Sequence, residues 1–309
     1  MSDHTNGRML HTMPLHARPS ILIATLGSEP QVVTAAADLL SEAGERLTEV
    51  WVLHTQAADG PVASAPAVLQ ADFAARPGAP PLRLCPIYAE DEPISDLETP
   101  QAAEAALRAL YGLVREAKLK DWRVHLSIAG GRKNLAVYAM VTAQLLFDER
   151  DCLYHLYSAG DFLTSKRLHP QPGDEARLLL IPVLLRDYIS PALTHLRHVE
   201  DPLEAIERIQ RLNLERRVRR IARFVEDSLT PAEARAAALL VREGVGDQEI
   251  AARLNLSART VEQQLRAAYA KAADFWELED VNRAQLIALL YPYFSLPGDE
   301  SAQITGNSA

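Results

Sequence analysis

Between residues 20 and 185 the chain alternates short, almost continuously apolar runs with longer amphipathic ones, and this leaves few folds open. The runs 20–25, 48–55, 82–88, 122–128 and 152–157 read as strands, with a later one at 177–185. The stretches 30–44, 66–75, 100–118 and 132–147 between them read as helices. Strands apolar along their whole length are buried on both faces, which requires a parallel sheet covered by its crossover helices. Pro66 and Pro100 fit the first helical position, where a missing N–H costs nothing. Pro182 places the last strand at a sheet edge. The expected fold is an α/β, Rossmann-like domain over 20–195, followed by a linker helix over 196–228 and an all-α domain over 229–295. Residues 1–19 and 296–309 read as flexible tails.

A length of 309 residues, 48% hydrophobic and 24% charged, suits a soluble protein of about two domains. The net charge of −9 gives no overall positive field for nucleic acid, so any such contact needs a local basic patch. Cys85 and Cys152 lie in apolar runs and read as buried thiols of a reducing cytoplasm, with neither a disulfide framework nor a cysteine metal site. The N-terminal tail lacks the apolar core of a signal peptide, and no segment has the apolar length of a membrane span. His4, His11 and His16 have no carboxylate or cysteine at ligand spacing, so no metal and no cofactor is expected.

Open parallel sheets bind ligands beyond the carboxyl ends of their strands, where strand order reverses. Two loops answer to that position. One is Leu26-Gly27-Ser28-Glu29-Pro30, after the first strand; the other is Ser127-Ile128-Ala129-Gly130-Gly131-Arg132-Lys133-Asn134, after the fourth. If those strands are neighbours, both loops face one crevice. Glycines permit a tight turn, and the helix that follows offers unpaired N–H groups with a partial positive charge. The bland reading is an ordinary turn with two solvated cations. Cations at a helix N-terminus are mildly unfavourable, however, and an anionic ligand such as a phosphate explains their presence. Neither the dinucleotide glycine fingerprint nor a Walker A sequence occurs, which disfavours an ordinary NAD enzyme or P-loop ATPase. Ser28 reads either as a phosphate contact or as a helix cap. His125 and His155 fall in strand patterns and read as satisfied core residues; with His169 they are weak candidates for a general base. The acidic loop 89–99 reads as a solvated lid or rim.

Residues 201–229 form an amphipathic helical pattern with Leu203, Ile206, Ile209, Leu214, Val218, Ile221 and Val225 on a stripe. Its middle carries Arg208, Arg211, Arg216, Arg217, Arg219, Arg220 and Arg223 against Glu215. This is a solvated face opposite a dimer or interdomain seam, or else a contact to nucleic-acid backbone. Thr230, Pro231 and Glu233 then spell a capping box. Helices to about residue 243, over 248–254 and over 259–273, and a last one over 282–290, give a helix-turn-helix.

The stretch Leu229-Thr230-Pro231-Ala232-Glu233, Gly244, Glu249 to Ser257 and Thr260-Val261-Glu262 resembles the LuxR-type helix-turn-helix domain. The resemblance implies a DNA-binding module whose recognition helix begins near Arg259. Arg259, Thr260, Gln263, Gln264, Arg266 and Lys271 would then face double-stranded DNA, the glutamines reading adenine edges. Glu262 and Gln264 stand where that family usually has Lys and His. A carboxylate there repels phosphates, so weak binding or a dimerisation role is the alternative.

The run Ile23-Ala24-Thr25-Leu26-Gly27-Ser28-Glu29-Pro30-Gln31-Val32-Val33-Thr34, paired with the 127–134 octet, resembles the CARF domains of CRISPR systems. More narrowly it looks like the CARF ring nucleases that degrade cyclic tetra-adenylate. The resemblance covers roughly residues 20–190. It implies a homodimer with one cyclic tetranucleotide on the two-fold axis, and metal-independent attack of each ribose 2′-OH on its adjacent phosphate, giving 2′,3′-cyclic phosphate ends. Such a reaction needs mainly positioning and charge stabilisation. By the family motif Lys133 would face the scissile phosphate or leaving oxygen, Arg132 would hold a phosphate through two bonds, and Ser28 would orient the ribose or phosphate. Gly27, Gly130 and Gly131 would admit the ligand to the backbone beside Ser127, with Asn134 and Gln31 as second choices for adenine or ribose. The competing expectations are a transcription regulator that senses the ring nucleotide, and a plain nucleotide-binding protein with an interaction tail.

Overall fold

The computed structural model describes residues 19–184 and 197–295. Residues 1–18 of the predicted N-terminal tail, with His4, His11 and His16, the predicted C-terminal tail 296–309, and 185–196, which hold the end of the last predicted strand and the start of the predicted linker helix, lie outside the described residues. The chain divides into two compact units, Met1–Ile206 and Glu207–Ala309.

The first unit contains β1 (Ser20–Leu26), α1 (Gln31–Glu42), β2 (Leu47–His54), α2 (Gly60–Ala75), β3 (Leu82–Pro86), α3 (Pro100–Leu119), β6 (Arg123–Ser127), α4 (Lys133–Leu146), β7 (Cys152–Ala159) and β8 (Glu175–Ile181). A two-stranded hairpin, β4 (Tyr88–Ala89) with β5 (Glu92–Pro93), sits between β3 and α3. The six-stranded sheet has the order β3-β2-β1-β6-β7-β8. All its pairs are parallel except β7 with β8, which is antiparallel. This is the Rossmann-like arrangement, with the order reversing between β1 and β6.

β1 is buried at every position, as its unbroken apolar run requires. Leu22, Ala24, Leu26, Val50 and Val52 form one cluster with Val33, Ala36 and Leu40 of α1 and with Leu69 and Phe73 of α2. Ile21, Ile23, Trp51 and Leu53 are equally buried, and α3 lies against β1, β2 and β6. Helix–helix packing of α3 with α4 completes the first unit.

Several expectations need correction. α2 begins at Gly60 with Pro61 in its first turn, and Pro66 lies inside it. The earlier proline supplies the start signal; the later one removes one helical bond without stopping the helix. The acidic loop 89–99 contains the β4–β5 hairpin rather than being wholly irregular. Cys85 and Cys152 are only half-buried. His155 is exposed on β7, so it is not the core histidine expected. His125 is in the core, as expected, but its ring nitrogens make no close hydrogen bond, Nε2 standing 3.5 Å from the Glu45 carboxylate.

α5 (Pro202–Arg223) runs across the division between units and ends in a π-helical turn, Phe224–Ser228. Its apolar stripe is only partly buried: Ile209, Val218 and Ile221 are inside, whereas Leu203 and Leu214 are exposed. In the second unit follow α6 (Pro231–Glu243), α7 (Asp247–Leu254), α8 (Ala258–Trp276) and α9 (Arg283–Phe294). Thr230 caps α6, and Glu233 returns a bond to the Thr230 N–H at 2.8 Å, completing the capping box. Gly244 and Asn255 end α6 and α7 in left-handed conformations, and Ser257 caps α8. The core joins Phe224, Leu240, Ile250, Val261, Leu265, Leu286 and Leu290.

Candidate functional site

β1 and β6 are neighbours, with Ala24 opposite Ser127, so the loops after them leave the sheet side by side at the point where strand order reverses. The two loops are packed backbone to backbone. A Cβ on Gly130 would stand 2.3 Å from the Thr25 carbonyl oxygen, and one on Gly27 would stand 2.8 Å from the Gly131 nitrogen. Gly131 has φ +83, which disfavours any other residue. The Thr25 hydroxyl donates to the Gly130 carbonyl at 2.6 Å. The glycines therefore serve first to join the two loops into one shelf.

α4 begins at that shelf. It has no side-chain cap and no acidic residue in its first turn. The Leu135 N–H bonds back to the Arg132 carbonyl at 3.0 Å, but the N–H groups of Lys133 and Asn134 ahead of it have no intrahelical partner, which is the usual setting for an anion. Lys133 is the first residue of the helix; its side chain is exposed and has no partner among the described residues. Ser28 is exposed on the facing loop, its hydroxyl 3.5 Å from Glu29 Oε1. Ser127 is 1% exposed and its hydroxyl has no partner. Asn134 donates to the Leu97 carbonyl at 3.4 Å, and its Oδ1 is buried without a partner.

Arg132 is exposed but not free. Its guanidinium forms a two-bond pair with Asp96, one bond being 2.7 Å from Nε to Oδ1. The guanidinium holds the Asp96 carboxyl below the usual carboxylate range. The acidic loop, expected to be a solvated rim, thus reaches back onto the shelf through Asp96. Gln31 is 1% exposed, and its amide donates to Glu29 at 2.5 Å and to the Leu163 carbonyl at 3.1 Å. It supports the loop from beneath rather than facing out.

Lys166, Glu29, Thr25 and His54 belong to the same end of the sheet; Thr25 and Glu29 stand in the run 23–34, whereas Lys166 and His54 carry no motif that marks them. The β7–β8 connection folds over α1 and brings Lys166 onto Glu29. Burial alone would raise the Glu29 pKa, but Lys166 and Gln31 outweigh it and lower it. Lys166 has φ +56, a left-handed conformation that is uncommon for lysine. The only sequence signal is the Lys-Arg pair at 166–167 in a polar stretch after a strand. His54 ends β2; burial lowers its pKa, which keeps it neutral at physiological pH. Of the proposed bases, His125 is pushed down to about 4, by burial first and Arg123 next, and lies in the sheet. His169 lies between Asp38 at 2.6 Å and Asp72 at 2.8 Å, on the outer side of α1 and α2. Neither touches the shelf. Among the described residues no group of three or more His, Cys, Asp or Glu side chains is placed to hold a metal ion.

In the second unit Arg259 and Gln263 are exposed at the start of α8. Thr260 bonds to Ser257 at 2.7 Å, within the cap. Arg266 pairs with Glu262 at 2.8 Å. Gln264 is half-buried, with Oε1 buried and unpartnered. Lys271, expected to face DNA, instead pairs with the capping-box Glu233 at 2.6 Å, and so belongs to the fold.

The family model for CRISPR-associated protein NE0113 matches residues 29–213, more than half of the chain. The chain therefore belongs to the CRISPR-associated NE0113 family. A second model, ECF sigma factor, matches residues 192–278, to which α6, α7 and α8 contribute. No curated protein matches the chain. No helix among the described residues is long and apolar enough to cross a membrane.

Proposed function

We propose that this CRISPR-associated protein is a ring nuclease of the CARF type. It binds cyclic tetra-adenylate across a homodimer and cleaves it by attack of the ribose 2′-OH on the adjacent phosphate. The products are linear adenylates with 2′,3′-cyclic phosphate ends, and the outcome is a damping of type III CRISPR signalling. The observation that carries this reading is Lys133: an unpaired, exposed ammonium at the uncapped start of α4, on a shelf made of the two loops at the switch point. In-line attack by the substrate's own hydroxyl asks the protein for geometry and for positive charge near the phosphate. Lys133 supplies the charge nearest the helix N-terminus, Arg132 a planar two-bond grip, and Ser28 a hydroxyl from the facing loop. Lys166, at the same edge, is paired with Glu29.

The test is incubation of the purified protein with cyclic tetra-adenylate in EDTA. Linear adenylates are expected, and Lys133→Ala is expected to slow their formation by orders of magnitude while binding persists. An intact ring after long incubation with excess protein overturns the reading. A second function, ring-nucleotide-dependent regulation of transcription through the helix-turn-helix, is favoured by the capped α7–α8 arrangement and the sigma-factor match. It predicts salt-dependent retention of the protein's own promoter DNA that changes when the ring is added.

A further inference from the structure

The second unit has an unequal charge distribution. From residue 224 to 295 there are seven cations against eleven carboxylates. Four of those cations are in ion pairs: Arg253 with Glu249, Arg266 with Glu262, Lys271 with Glu233 and Arg283 with Asp247. A helix-turn-helix of this composition repels a polyphosphate more than it attracts one. The preceding stretch, 208–223, reverses the sign, with seven arginines against Glu215 alone.

Six of these arginines, all but Arg216, are displayed at the surface. Arg208, Arg211 and Arg223 are exposed and have no partner among the described residues. Arg217 and Arg220 are exposed and donate to neutral carbonyls, those of Ala288 at 3.2 Å and Phe275 at 3.5 Å, which leaves their charge in place. Arg219 meets Glu215 only at 3.6 Å. The surface is also fixed relative to α8. Phe224, directly after α5, packs on Phe275 and Trp276 at the end of α8, with ring centroids 5.3 and 4.7 Å away. Arg220 lies over the Phe275 ring at 5.7 Å. The C-terminal end of this face, at Arg220, thus stands at the end of α8 opposite Arg259 and Gln263, roughly 25 Å along the helix by its rise per residue. A recognition helix that lies along the major groove, as in the homeodomain, brings its far end to the phosphate backbone.

From this we propose that the arginine face of α5 is the phosphate-binding surface of the second unit. It takes the sugar–phosphate backbone of double-stranded DNA without regard to sequence, while α8 supplies base contacts. The inference rests on the reading of α7–α8 as a DNA-binding element, and it is independent of ring cleavage. Phosphate contacts release counterions, so each one lost lowers the slope of log affinity against log salt by about 0.9.

The experiment measures retention of a random-sequence duplex by the full chain across a salt series. The double variant Arg219→Gln with Arg223→Gln is expected to bind more weakly at low salt and to lose close to two units of slope, whereas Arg219→Lys with Arg223→Lys keeps most of both. Ring cleavage is unchanged in either. An unaltered slope in the glutamine variant overturns the proposal, as does preferential retention of single-stranded RNA. A shift of sedimentation behaviour without a change in DNA binding also overturns it, by assigning the face to contact between copies. Arg259→Ala with Gln263→Ala tests the underlying reading separately. If that variant leaves affinity for every duplex unchanged, the helix-turn-helix does not read DNA, whatever α5 does.

Discussion

At the scale of single residues, the shelf depends on atoms that are absent as much as on those present. Gly130 has no room for a side chain: the Thr25 carbonyl oxygen and the Leu26 Cα, both backbone, stand 2.3 and 3.1 Å from the position of a Cβ. Neither can retreat without moving the end of a fully buried strand. Gly130→Ala is therefore expected to destabilise the first unit by about 1–3 kcal/mol and to separate the two loops. Urea unfolding and ring binding measured on the same variant check both effects. Arg132 presents the opposite case, a ligand-binding group already holding an anion. Asp96 occupies both of the donor positions that a phosphate would use. An exposed ion pair is weak enough to exchange for a doubly hydrogen-bonded phosphate. Asp96→Asn should then tighten binding of the ring several-fold and leave the fold unchanged, as titration calorimetry would show. Weaker binding in this variant would make Asp96 a positioning group for Arg132 rather than a competitor. The octet marked Arg132 in the sequence, but Asp96 is 36 residues away and had no motif of its own.

At the scale of elements, the strands were legible because an unbroken apolar run has one stable location, the middle of a covered sheet. The capping box at Thr230 and Glu233 was legible for a similar reason: its bonds span three residues and need no distant partner. What depended on distant partners was not legible. The direction of β8, the β4–β5 hairpin and the path of the β7–β8 connection are set by contacts such as Gln31 with Leu163, 132 residues apart. The same holds for the ion network between α3 and β7. Lys118, at the end of α3, is fully buried between Asp148 at 2.8 Å and Asp151 at 2.6 Å. Arg150 and Arg197 also reach Asp148. Burial raises the Asp148 pKa but Arg150 and Lys118 lower it further, so the group stays ionised. For Asp151, burial prevails and raises the pKa despite Lys118. Removing one member of such a cluster leaves a buried charge without its partner, so Lys118→Met should cost about 3–5 kcal/mol in urea unfolding. The network lies at the amino ends of β6 and β7, opposite the shelf. Ring cleavage below the melting temperature should therefore survive the substitution, which separates a stability defect from a catalytic one.

At the scale of the whole molecule, three histidines pull stability in different directions as pH falls. His169 is drawn between Asp38 and Asp72; burial would lower its pKa, but the two carboxylates outweigh that and raise it. A raised pKa means that its stabilising contribution is complete below the unfolded value of about 6.5 and is lost as pH rises through the folded value. His125 and His54 behave oppositely, because burial lowers both. Each is neutral when folded and protonated first when unfolded, so acidification below about pH 6.5 costs stability. For His125 the loss continues down to its folded pKa of about 4. Over that interval it reaches at most about 3 kcal/mol, from 1.36 kcal/mol per pH unit. The chain should therefore lose stability between pH 6.5 and 4 through His125 and His54, while the clamp at His169 keeps its full contribution. Two variants resolve the contributions in urea titrations at a series of pH values. His125→Phe, which keeps a ring against Tyr154, should flatten the decline between pH 6.5 and 4. His169→Asn should destabilise the protein most below pH 6.5 and progressively less above it. A His169→Asn deficit that grows with rising pH would mean that the ring is held neutral, and that the β7–β8 connection, with Lys166, is fastened to α1 without its charge.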